Sequence, residues 1–246
     1  NMGLLKGAKA SFYMGHGVSN ALWNPDNLVL NEGSALKIET LQDNNGNTNN
    51  GIQSDGAGVH SAPLTLNWDS TQNYADNSDL TEGNVHGTLD IKKDASLKIK
   101  RLMDADSKQV GSPLISYGGI SANNVSATLE VDHGTLELSD DMQDNSSDGI
   151  NGYAYEQYLG NTETKFPIYP MGMIAMWGVA TKNKITLTDP RLFKLVRNGA
   201  QQGMFLRLEG IDNKVELKAV DEEELPLSFK TVAGVKYANG STTKAK

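Results

Sequence analysis

The chain has 246 residues, 38% of them hydrophobic and 21% charged, with 25 glycines, few aromatics and no cysteine. That balance excludes wholesale disorder, and the absent thiols exclude a disulfide framework, a CxxC redox pair and a thiolate zinc site. A formal charge of −8 and a pI near 5.0 make nucleic acid and anionic membrane poor partners at neutral pH, and no apolar run reaches the roughly 18 residues of a membrane span.

In chain order, "GAKASFYM" (7–14) places Ala10, Phe12 and Met14 in phase. Residues 27–43, "NLVLNEGSALKIETLQD", then carry two short alternating runs, Leu28 and Leu30 followed by Leu36 and Ile38. The same text returns at 88–104 as "TLDIKKDASLKIKRLMD" and at 128–144 as "TLEVDHGTLELSDDMQD". Period-two alternation predicts strands with one buried and one wet face. Each pair is split by a corner: Asn31-Glu32-Gly33, Lys92-Lys93-Asp94 or Asp132-His133-Gly134. Between the copies, 43–58 and 68–84 hold almost no aliphatic residues and predict long polar insertions. Weaker strand signals follow at "KITLTD" (184–189) and "KVELKAV" (214–220).

Two architectures use such text. An antiparallel sandwich needs tight Asn-Gly turns and longer strands. A parallel β-solenoid needs short strands that return and lie over their predecessors, and it tolerates insertions at corners. The short strands and uneven insertions favour an all-β parallel β-solenoid over residues 1–220. Residues 221–246 are expected to form a cap and tail leading to the rest of a larger protein, because the carboxylates and proline of "DEEELPLSF" (221–229) discourage a further strand.

The repeated strands, the Asn-rich insertions and "DPRLFKLVRNGAQQGMFLRLEGIDNKVEL" (189–217) together resemble the pectate-lyase-like β-solenoid adhesive regions of lactobacillus surface proteins. These include the Lactobacillus epithelium adhesin and the binding regions of serine-rich repeat adhesins. The specific likeness lies in Pro190, Leu192, Leu195, Arg197 and Gly199, then Phe205, Leu208, Glu209 and Gly210, with Phe205 where an aliphatic residue is expected. The resemblance implies a right-handed solenoid and an extracellular protein anchored to the cell wall through regions outside this chain. It implies binding of host epithelial or plant glycans, and it transfers no catalytic set.

Because β-solenoids also house pectin-degrading enzymes, the chemistry needs its own trial. Gly15-His16-Gly17, Asp140-Asp141 and Lys100-Arg101-Leu102 resemble polygalacturonase motifs. In that family the paired aspartates precede the histidine, whereas here they follow it by several strands, too far to flank one glycosidic bond. Asp132-His133 resembles a lyase stretch, but none of the four arginines (Arg101, Arg191, Arg197, Arg207) stands in a lyase-like motif. His16, His60, His86 and His133 form no metal-ligand spacing. Asp43, Asn45, Asn47 and Asn49 are spaced like the front of a calcium loop, yet Ser54 stands where a closing glutamate belongs. No metal or other cofactor is expected, and a non-catalytic adhesin is favoured. A lyase or hydrolase acting on pectin-like uronans is the alternative, and a plain stalk is a third reading.

Sugar recognition pairs aromatic faces with polar groups, so the few clustered aromatics become the ligand-binding candidates. They are Trp68, Tyr153, Tyr155, Tyr158 and Trp177. The apolar run "FPIYPMGMIAMWGVA" (166–180) is expected to be buried. The partners expected are host epithelial glycans or an acidic polysaccharide, met by a monomer and held more tightly at acidic pH.

Overall fold

The computed structural model describes residues 2–14, 21–23, 25–41, 62–66, 85–102, 113–117, 125–141, 173–176, 182–198, 205–208, 212–218, 227–232, 235–236 and 242–243. Among these there is no helix. The strands are β1 (Met2–Leu4), β2 (Lys9–Met14), β3 (Leu22–Trp23), β4 (Asn27–Leu30), β5 (Ala35–Leu41), β6 (Leu64–Leu66) and β7 (Val85–Ile91). There follow β8 (Ser96–Leu102), β9 (Ile115–Tyr117), β10 (Val125–Asp132), β11 (Thr135–Asp141), β12 (Ile174–Met176) and β13 (Lys184–Thr188). The last are β14 (Leu192–Asn198), β15 (Leu206–Leu208), β16 (Lys214–Lys218), β17 (Leu227–Val232), β18 (Val235–Lys236) and β19 (Thr242–Thr243).

Three parallel sheets take every third strand. Sheet A runs β1-β4-β7-β10-β13-β16, sheet B runs β2-β5-β8-β11-β14-β17, and sheet C runs β3-β6-β9-β12-β15. Among the described strands only the small β18–β19 pair is antiparallel, which removes the sandwich alternative. β17 lies inside the stretch expected to be cap and tail, yet it pairs with β14 in register, Phe193 opposite Leu227 and Leu195 opposite Phe229. The ladder of sheet B therefore runs past the boundary expected at 220. Leu227 and Phe229 keep the two-residue phase, and this outweighs the acidic run before them.

Register explains the repeated text. In sheet A, Leu28, Leu89, Leu129 and Ile185 are successive partners, as are Leu30, Ile91, Val131 and Leu187. In sheet B, Leu36, Leu97, Leu136 and Phe193 align, then Ile38, Ile99, Leu138 and Leu195. All sixteen are buried in one core with the residues of sheet C. Each contributes about 1.5–3 kcal/mol of burial, an upper figure because the unfolded chain is not fully extended. Identical aliphatics recur because each must fit against its own kind one strand away.

The links between sheets differ in kind. Sheet A passes to sheet B through short corners, such as Leu5–Ala8 and Asn31–Ser34, whose amides bond to the next corner: Gly7 N to Glu32 O and Gly33 N to Lys93 O, each at 3.0 Å. The long connections instead flank sheet C, at 42–63 and 67–84 around β6 and 142–173 before β12. Strands β6, β9 and β12 of sheet C are covered on both faces, since Thr65, Ser116 and Ala175 are as buried as Leu64, Ile115 and Ile174. Met173 to Met176 are fully buried, as expected for the apolar run that contains them.

Candidate functional site

The outer face of sheet B is the most distinctive surface among the described residues. Burial of Leu97, Ile99 and Arg101 on β8 turns Lys98 and Lys100 outward. By the same alternation Lys37 and Glu39 face out from β5, Glu137 and Ser139 from β11, and Lys194 from β14. Register aligns them across the strands. One row reads Ser11, Lys37, Lys98, Glu137, Lys194, and the next reads Tyr13, Glu39, Lys100, Ser139, Val196. Lys9 opens a third row beside Ala35. Among the described side chains, five lysines thus meet two glutamates on a face of a chain whose total charge is −8.

The carboxylates are tied down. Glu137 accepts from Lys194 Nζ at 2.8 Å and pairs with Lys98 Nζ at 3.2 Å. The Lys194 hydrogen bond, reinforced by Lys98 and opposed by partial burial, holds its carboxyl below the usual range. Glu39 pairs with Lys37 at 2.8 Å. Lys100 is exposed and has no ion-pair partner among the described residues. At the end of the face Tyr13 is 68% exposed, the most exposed aromatic side chain described.

Sheet A carries a different outer row. Asp90 and Glu130 are direct register partners. Burial raises the carboxyl of Asp90 above its ordinary value, and Glu130 adds to the shift against an opposing contribution from Lys92. Further along the sheet, Glu216 is drawn down to about 2, chiefly by its hydrogen bond to Lys214 and also by Lys184.

Of the residues that looked enzyme-like, Asp132-His133 falls at a corner between the sheets, Lys100-Arg101-Leu102 lies on β8 and Asp140-Asp141 on β11. Gly7, Gly33, Asp94, His133 and Asp189 have positive φ, from 36° to 70°, where successive corners meet. Lys6 pairs with Glu32 at 2.9 Å and Arg191 with Asp94. His133 Nδ1 lies 2.6 Å from Asp132 and its Nε2 lies 3.6 Å from Asp189 on the next corner. Asp132-His133-Gly134 is a corner, as its alignment with Lys92-Lys93-Asp94 predicts. Arg101 points into the core at 4% exposure and donates through Nη2 to the Pro113 carbonyl at 2.9 Å. That fixes the turn into β9 and removes its guanidinium from the wet face. Asp140 is the register partner of Arg101 on β11.

The aromatic candidates Trp68, Tyr153, Tyr155, Tyr158 and Trp177 all lie outside the described residues, as do His16, His60 and the Asp43–Asn49 stretch. His86 lies on β7, far in sequence from His133 at its corner. Among the described residues no group of three metal-binding side chains comes together. What sequence reasoning passed over is the lysine face. Its signal is legible once the copies are aligned: Leu-Lys-Ile-Glu at 36–39, Leu-Lys-Ile-Lys at 97–100, Leu-Glu-Leu-Ser at 136–139 and Phe-Lys-Leu-Val at 193–196.

The chain is thus an all-β protein built on parallel sheets. No family model, curated protein or solved structure matches it.

Proposed function

We propose that this chain is a non-catalytic adhesive region. In this reading its three ladders form one right-handed β-solenoid, held outside a bacterial cell and anchored to the wall through regions beyond it. Its task is to bind epithelial or plant glycans through the connections around sheet C. The observation that carries this reading is the asymmetry of the links. A-to-B corners are short and hydrogen-bonded to one another, while length is concentrated on either side of sheet C. A stiff ladder with variable connections grouped along one sheet suits recognition, because the connections can diverge without disturbing register.

The test is a glycan array together with epithelial-cell binding, using the intact chain and a variant with Tyr153, Tyr155 and Tyr158 changed to alanine. Binding of a defined glycan set by the intact chain, reduced at least tenfold in the variant, is expected. No glycan or cell binding would reduce the chain to a spacer. Release of unsaturated uronate from polygalacturonate with calcium would make it a lyase instead.

A further inference from the structure

We infer that the outer face of sheet B is a second binding surface, fitted to a linear polyuronate laid across the strands. Strands in a sheet lie about 4.8 Å apart, so side chains in one row repeat at that interval. Lys37 and Lys98 are adjacent in one row, and Lys100 stands beside them in the next. A polyuronate carries one carboxylate per sugar, a comparable repeat, so several carboxylates can meet several lysines without either backbone bending. The face is a pleated surface already held by the sheet, and little ordering accompanies binding.

The composition of the face selects a sugar polymer over other polyanions. Glu39, Glu137 and Ser139 are acceptors interleaved with the lysines. They suit a ligand that brings hydroxyl donors as well as negative charge. The exposed ring of Tyr13 offers a flat apolar surface of the kind on which a sugar face packs. Duplex nucleic acid carries one charge per roughly 1.7 Å and brings few donors, so the overall charge of −8 repels it more than it does a sparser chain. The surface is separate from the connections around sheet C. It rests on the glycan-binding reading only for the class of its ligand.

Binding of the intact chain to alginate, to neutral dextran of similar length and to duplex DNA tests this, at low and at moderate salt. The expected result is alginate binding that weakens with salt, with neither dextran nor DNA bound comparably. Lys98→Gln with Lys100→Gln should weaken alginate binding at least tenfold. Lys92→Gln with Lys93→Gln, the same charge change at a corner, should alter it less than twofold. Glu137→Gln frees two lysines from their shared carboxylate and should tighten binding about threefold, a gain that loss of folding cannot mimic. Absence of alginate binding, equal binding of dextran or DNA, or indifference to both sheet B variants overturns the proposal. The tyrosine variant above should leave alginate binding intact, so failure of the loop reading and failure of this one give different patterns.

Discussion

Gly134 shows how little room a corner leaves. A Cβ placed there would lie 2.8 Å from Ile91 Cγ2 and 2.9 Å from the carbonyl oxygens of Ile91 and Lys92. Two of those neighbours are backbone, so a ladder hydrogen-bonded on both sides would have to move. Gly7 is the contrasting case: its φ is +70° but nothing stands within 4 Å. Gly134→Ala should cost about 2–3 kcal/mol from crowding, and Gly7→Ala about 1–2 kcal/mol from conformation. Urea midpoints at constant slope separate the two, and equal losses would show that space is not what matters at Gly134. Carboxylates make a second residue-scale pair. Because Glu137 titrates below its unfolded value, its stabilisation is present above roughly pH 4.3 and lost as pH falls through the folded value. Asp90 titrates above its unfolded value, so its charged form is a liability at neutral pH that disappears on acidification. Glu137→Gln should therefore destabilise the protein at pH 7, and the loss should shrink as pH falls below the ordinary carboxylate range. Asp90→Asn should stabilise it at pH 7 and be neutral near pH 3. Midpoints measured across pH check both signs.

At the scale of the element, register is the property most exposed to change. One alanine inserted between Glu32 and Gly33 breaks the bond from Gly33 N to Lys93 O, and a one-residue slip turns Leu36 and Ile38 toward water. A loss of about 3 kcal/mol, or roughly 10 °C in thermal midpoint, is expected. The same insertion within 43–58 should change the midpoint by less than about 2 °C, since loop length enters only weakly. Alternation made β4, β5, β7, β8, β10 and β11 legible in the sequence, together with the phases of β2, β13 and β16. It could not reveal sheet C. "LTL", "ISY" and "IAM" are three-residue strands buried on both faces, with no polar side to set a period. β17 was hidden for another reason, because four carboxylates at 221–224 outweighed the phase of Leu227 and Phe229. The candidate surface was masked by its regularity. Lysines between buried aliphatics read as ordinary solvated residues until the strands are aligned, whereas clustered tyrosines draw notice without any alignment.

For the molecule as a whole, repetition and charge have separate consequences. Strands inside a ladder have two partners and those at its edges have one. Met2 at one end is 43% exposed, and Val215 and Leu217 at the other are 50% and 53% exposed although they hold inward register positions. Amides of β8 and β11 should exchange only through global opening, while those of β1 and β16 exchange orders of magnitude faster by fraying. Uniform protection by hydrogen exchange would contradict this. Charge acts over longer distances. With 30 carboxylates against 22 lysines and arginines, the net sign turns positive below the pI near 5.0, as the four histidines and a minority of the carboxylates take up protons. The order of protonation is uneven. Asp90 is neutralised early, whereas Glu137 and Glu216, beside their lysines, are neutralised late. The lysine face of sheet B stays positive, while the repulsion from the rest of the molecule fades. A sulfated glycan stays fully ionised over this range, so it reports the protein's titration alone. Its affinity should rise at least fivefold from pH 7 to pH 4 at low ionic strength, and the difference should shrink in added salt as screening replaces titration. Unchanged or stronger binding at pH 7 would mean that contacts other than charge govern attachment.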